Sequence, residues 1–142
     1  MDASEPEGIE ALTEKIIGCA IAVHRALGPG LLESVYRDCL AIELKRENLR
    51  FARECRVSLT YRGETVANGL MVDLLIEGAI VAEIKAVERI HPVHLAQVIT
   101  YLKLTGCPAG LLLNFNATSL RNGLKRLVHP DLYTHHTTIR GE

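Results

Sequence analysis

The sequence predicts an α/β protein in the order α-α-β-β-β-α-β. The expected core is a mixed sheet, a three-stranded antiparallel meander plus a crossover helix and a further strand, flanked by helices. Three observations carry that prediction. Apolar residues recur every three or four positions through most of the first fifty residues. Three β-rich segments then follow at close spacing, with Arg62-Gly63 and Glu77-Gly78 where hairpin turns belong. Finally, a stretch opened by Pro92 leads into the unbroken apolar run AGLLLNF at 109–115, as expected of a strand covered on both faces.

Taken in order, residues 8–27 carry Ile9, Leu12, Ile16, Ala20, Val23 and Leu27 on one helical stripe, and Gly28-Pro29-Gly30 ends it. A second helix is expected over about 31–47, with Leu32, Val35, Tyr36, Cys39, Leu40 and Ile42 on its buried side. Strands are expected at about 53–61, 66–76 and 79–87, and a third helix from Pro92 to about Leu104, stopped by Gly106. The segment 117–128 reads equally as helix or edge strand. The chain is expected to be a single domain over 1–142, with an acidic lead over 1–8 and a loosely held tail over 130–142.

Bulk properties narrow the function. Hydrophobic residues make up 48% and charged residues 23%, with a net charge of −1, ordinary for a globular protein and unlike a strongly basic nucleic-acid binder. The charge is uneven. Residues 1–14 hold five acids and no base, leaving sixteen bases against twelve acids in the remainder, a net of +4. Arg37, Lys45, Arg53 and Arg56 lie in a basic stretch that could follow a phosphate backbone, with Arg89 and His94 further along. No run approaches the ~18 apolar residues of a membrane helix, and the acidic start lacks the order of a signal peptide. Four scattered cysteines without zinc spacing are expected as free thiols in the cytoplasm.

The chemistry concentrates in two strand-like segments. In 79-AIVAEIKAV-87, Glu83 and Lys85 interrupt an apolar run two residues apart, so they share a face. Asp73 stands likewise among Leu70, Met71, Val72, Leu74, Leu75 and Ile76. Buried charges need partners or a metal, and two close carboxylates repel unless a cation sits between them. A hard cation such as Mg²⁺ (or Mn²⁺) takes oxygen ligands of the kind Asp73, Glu83 and the Ile84 carbonyl offer. This requires the hairpin between them to have an odd loop or a bulge. A two-residue loop would send the two carboxylates to opposite faces, whereas a three-residue loop sets Asp73 opposite Glu83.

The pattern Asp73-x9-Glu83-x-Lys85 resembles the core motif of the PD-(D/E)xK nuclease superfamily, with Val72 where proline is usual. Two further stretches add to the likeness. The run 30-GLLESVY-36 resembles the G-x-x-E-x-x-Y signature of one small-protein family within that superfamily, and 97-QVITY-101 looks like the Q-x-x-x-Y feature of RecB-like nucleases. The resemblance covers roughly residues 9–128. It implies a restriction-endonuclease-like core and metal-dependent hydrolysis of nucleic acid, with DNA the favoured substrate. It also implies a metal shell completed by Glu33, and a catalytic set of Glu33, Asp73, Glu83, Lys85, Gln97 and Tyr101. Monomer and homodimer both stay open, as do two alternatives: a structure-specific endonuclease similar to Holliday-junction resolvases, and a non-catalytic binding module on the same fold. Blander readings accompany these residues. Glu33 could pair with Arg37 one helical turn on, Lys85 could snorkel to water, and Gln97 and Tyr101 could simply be a helix hydrogen-bond pair.

Overall fold

The computed structural model describes residues 6–66 and 70–132. Helix α1 (Pro6–Leu27) buries Ile9, Leu12, Ile16, Ala20 and Val23, the expected stripe, while Leu27 at its end is exposed. Helix α2 (Glu33–Arg46) starts two residues later than expected, and its buried stripe is Tyr36, Leu40, Ala41 and Leu44. Leu32, Val35 and Ile42, read from the sequence as core, are exposed. The i, i+4, i+8 row of Tyr36, Leu40 and Leu44 is the face that meets α1 and the sheet, and the other three apolar side chains fall off it.

The central sheet has five strands: β1 (Phe51–Arg56), β4 (Met71–Ile76), β5 (Ile80–Lys85), β6 (Ala109–Asn114) and β7 (Leu124–Val128), in the order β1-β4-β5-β6-β7. Strands β5 and β6 run parallel, joined through helix α3 (Pro92–Thr105), and the other neighbours are antiparallel. Gly106, at φ 76°, closes α3 in the left-handed conformation.

The expected meander is present with one change. The segment 53–61 is two strands, and the second, β2 (Leu59–Tyr61), pairs with β3 (Glu64–Val66) as a separate ribbon. Arg62 and Gly63, both at positive φ, form its two-residue turn, so the turn lies where the sequence placed it. All six ribbon residues are exposed, and the ribbon's strands pair only with each other, while β1 pairs directly with β4. The expected strand 66–76 accordingly shortens to β4, and 67–69 lie outside the described residues. The ambiguous segment 117–128 resolves into both readings, a short helix α4 (Leu120–Gly123) followed by edge strand β7.

The sheet divides two cores. Leu74, Ile76, Ile80, Ala82, Ile84, Leu111 and Leu113 join α1 and α2 in the larger one. Val72, Val81 and Leu112 join Val98, Tyr101 and Leu102 of α3 in the other. Val72 and Leu74 are two apart yet enter opposite cores, so the alternation of β4 breaks at Asp73. Glu54, which the register sets opposite Asp73, has φ 50°, a backbone rare for a side chain of its kind. The acidic lead and the far tail fall largely outside the described residues. Where the tail begins it is fastened, with buried His129 accepting hydrogen bonds from the Asp131 and Leu132 amides at 3.0 and 3.3 Å.

Candidate active site

The β4–β5 hairpin sets the site. Its loop is the three residues Glu77-Gly78-Ala79, and the register runs Ile76↔Ile80, Leu75↔Val81, Leu74↔Ala82. Glu77 and Gly78 supply the positive φ values (53° and 62°) that so tight a connection needs. The next step of that register sets Asp73 opposite Glu83, as the odd loop requires.

At this step the side chains take over from the backbone ladder. The Asp73 amide donates to Glu83 Oε2 at 2.8 Å, and the Ile84 amide donates to Asp73 Oδ2 at 2.8 Å. Each carboxylate thus anchors the opposite strand. Glu83 is 4% exposed, and its carboxyl is pushed up to about 7, first by burial and then by the neighbouring Asp73 charge. The Asp73 amide and the Lys85 charge pull the other way without cancelling the rise.

Glu33 reaches the same place from α2. Its Oε2 accepts from the Ala86 amide at 3.4 Å, just past the end of β5. What positions Glu33 is Tyr36, three residues on. The Tyr36 hydroxyl donates to the Gly28 carbonyl at 2.6 Å and accepts from the Leu31 amide at 3.1 Å, clamping the α1–α2 loop. Its ring is fully buried and stacks on Phe115 at 4.7 Å and 11°. The Tyr of the G-x-x-E-x-x-Y stretch therefore clamps the loop that leads to its Glu, and the stretch's own Gly30 takes a positive φ of 106° within that loop.

Lys85 ends β5, half-buried, and Asn114 at the end of β6 is its partner in register. Asn114 is 4% exposed and holds the chain beyond Lys85. It accepts from the Val87 and Asn116 amides at 3.0 and 3.2 Å and donates to the Val87 carbonyl at 2.9 Å. Tyr101 of α3 is buried, and its hydroxyl is pushed up first by burial and then by the Glu83 charge, with a hydrogen bond to the Met71 backbone opposing the rise. Gln97, one turn earlier, is exposed. His94 is half-buried and accepts from the His91 amide at 3.0 Å; burial and the Lys85 charge hold its imidazole below the ordinary range.

Arg37 does not pair with Glu33 but donates to Asp73 Oδ1 at 2.9 Å. Arg53 is tied to Asp38, while Lys45, Arg56 and Arg89 are exposed. With Arg37 on Asp73 and Glu33 on the Ala86 amide, no group of three His, Cys, Asp or Glu side chains stands in a ligating arrangement among the described residues. The donor chemistry nonetheless suits a hard divalent cation: facing carboxylates, one of them held against ionisation by burial and then by the other, with a third on the adjoining helix.

Sequence reading missed Asn114, Phe115 and the clamping role of Tyr36. Asn114 did leave a signal, a polar residue closing an apolar run, as Asp73 interrupts one.

A protein-family model described as the PD-(D/E)XK nuclease superfamily matches residues 10–127. The chain belongs to that superfamily. Membership makes it a nuclease by family, and nucleases of the PD-(D/E)XK superfamily generally use divalent metals. The five-stranded mixed sheet flanked by helices agrees with the restriction-endonuclease-like fold. In this PD-(D/E)XK chain, the match spans α2, the hairpin with Asp73, Glu83 and Lys85, and α3. Comparison with curated proteins and with solved structures returns no match. No described helix is long and apolar enough to cross a membrane.

Proposed function

We propose that this chain is a metal-dependent deoxyribonuclease of the GxxExxY kind, hydrolysing phosphodiester bonds of DNA in the cytoplasm. The observation that carries the reading is the reciprocal Asp73–Glu83 arrangement, in which two carboxylates meet across a hairpin and one is kept from ionising. Asp73, Glu83, the Ile84 carbonyl and Glu33 would hold Mg²⁺ or Mn²⁺. When bound, the ion supplies Lewis-acid activation of water and offsets phosphate charge.

The chain's own groups do the rest. The Lys85 ammonium, held at the strand end by the Asn114 anchor, orients water and opposes negative charge growing on the phosphate. The Tyr101 hydroxyl stays protonated as a donor. Gln97 and His94, on the same helix as Tyr101, would meet a passing strand. The exposed bases Lys45, Arg56 and Arg89 supply backbone contacts. A non-catalytic module has less support, since all four chemical positions are filled.

The test is cleavage of circular duplex, linear duplex and single-stranded DNA, and of RNA, in Mg²⁺, Mn²⁺ or EDTA. Cleavage of DNA that EDTA abolishes is the expected result. Absence of cleavage on every substrate in both metals would refute it.

A further inference from the structure

The Arg37–Asp73 contact has a role of its own. Arg37 lies one helical turn after Glu33 on α2, close enough for the two to pair along the helix. They do not. Glu33 turns to the Ala86 amide, and Arg37 turns to Asp73 at 2.9 Å. The two side chains of the ion pair are 20% and 18% exposed, so the pair is partly shielded from water. Arg37 engages Asp73 through a single nitrogen and Oδ1, while Oδ2 takes the Ile84 amide. Both oxygens of Asp73 are therefore satisfied by protein donors.

The charges around this point explain why. The Asp73 charge lies against the buried Glu83, with Glu33 a weaker neighbour, and Lys85 alone does not offset them. A guanidinium is the group best able to fill such a gap, being always charged and weakly hydrated. Here it offsets the Asp73 charge directly, through Oδ1.

We propose that Arg37 is the internal counter-ion of this site. It neutralises Asp73 while no metal is bound, yields Asp73 Oδ1 to an incoming divalent cation, and is thereby released to contact a phosphate of the nucleic acid. This rests on the reading of Asp73 and Glu83 as a metal-binding pair. Its consequence is an ordered response: cation binding creates a free arginine beside the cleft, so metal and phosphate binding reinforce each other through one side chain.

The experiment is calorimetric titration of Ca²⁺ into wild-type protein and into Arg37→Gln, without nucleic acid, so that the readout is independent of activity. Removing the competing internal cation should tighten Ca²⁺ binding about tenfold, equivalent to about 1.4 kcal/mol. In saturating Ca²⁺ the same variant should bind a short DNA duplex more weakly, with a salt slope shallower by about one contact. Arg37→Lys, which keeps the charge with a poorer match to a carboxylate, should show a smaller gain in Ca²⁺ affinity, and it carries the comparison if Arg37→Gln does not fold. Equal or weaker Ca²⁺ binding by the variants than by wild type would overturn the counter-ion role while leaving the metal site standing. Absence of binding by wild type and variants alike would overturn the metal reading itself, and this inference with it.

Discussion

Replacing Glu83 by glutamine should make the metal-free protein more stable, and only above mildly acidic pH. The Glu83 carboxyl is raised from 4.5 to about 7 in the fold, chiefly by burial and next by Asp73. Below 4.5 it is protonated whether the chain is folded or not, so it adds no penalty there. As pH rises towards about 7 the unfolded chain ionises freely while the fold resists, so stability falls. Above that range the penalty is complete. At about 1.4 kcal/mol per pH unit, the interval amounts to about 3 kcal/mol. Glutamine keeps the oxygen that accepts the Asp73 amide, but its NH₂ needs an acceptor, an offset of about 1 kcal/mol. A net gain of about 1–3 kcal/mol remains, which at roughly 3 °C per kcal/mol for a chain of this length raises the melting point by about 3–9 °C. Urea unfolding in EDTA near pH 8 and near pH 4.5 measures it. A gain of the same size at both pH values, or a variant less stable than wild type near pH 8, would refute the reasoning.

Three further outcomes are expected. Lys85→Ala should lose cleavage while still binding Ca²⁺ by calorimetry, whereas Asp73→Ala should lose both; wild-type cleavage by Lys85→Ala would remove that residue from the chemistry. Tyr36→Phe strips the Gly28 carbonyl and the Leu31 amide of their shared partner, and should cost about 1–3 kcal/mol in thermal unfolding. Lowered activity at saturating metal should accompany that loss if the clamp positions Glu33. DNA binding in Ca²⁺ should weaken with salt at a slope equivalent to about three to five phosphate contacts; a flat response would leave Lys45, Arg56 and Arg89 as ordinary surface.

The parts of the molecule written in local pattern were legible. The α1 stripe, both turn dipeptides, the Pro92 helix start and the doubly covered β6 follow from spacing and chemistry within a few residues. So did the parity of the β4–β5 loop, because two carboxylates bound for one face leave only an odd loop or a bulge. The remainder depends on partners distant in sequence. Whether 59–61 joins the main sheet depends on whether its side chains find a face to cover, and they do not. Arg37 sits beside Glu33 along the helix, so a local reading pairs them, yet the carboxylate that wins it comes from a strand 36 residues on. Asn114 reads as a polar end to an apolar run, and only the fold reveals that Val87 is what it holds.

The Tyr36 clamp bears on how this chain can change over generations. Helix α2 has no side-chain cap of its own at Leu32, so the path from Gly28 to Glu33 is held by the tyrosine's two hydrogen bonds. A residue added to or lost from that path would move Glu33 relative to a fixed hydroxyl. The connection is therefore closed to length variation. The opposite holds at Arg62-Gly63, the tip of a ribbon whose residues are all exposed and whose strands pair only with each other. New segments, or a whole appended module, can enter there without disturbing the carboxylates. Diversification in length is thus channelled to the ribbon tip, while the loop that leads to Glu33 keeps its count.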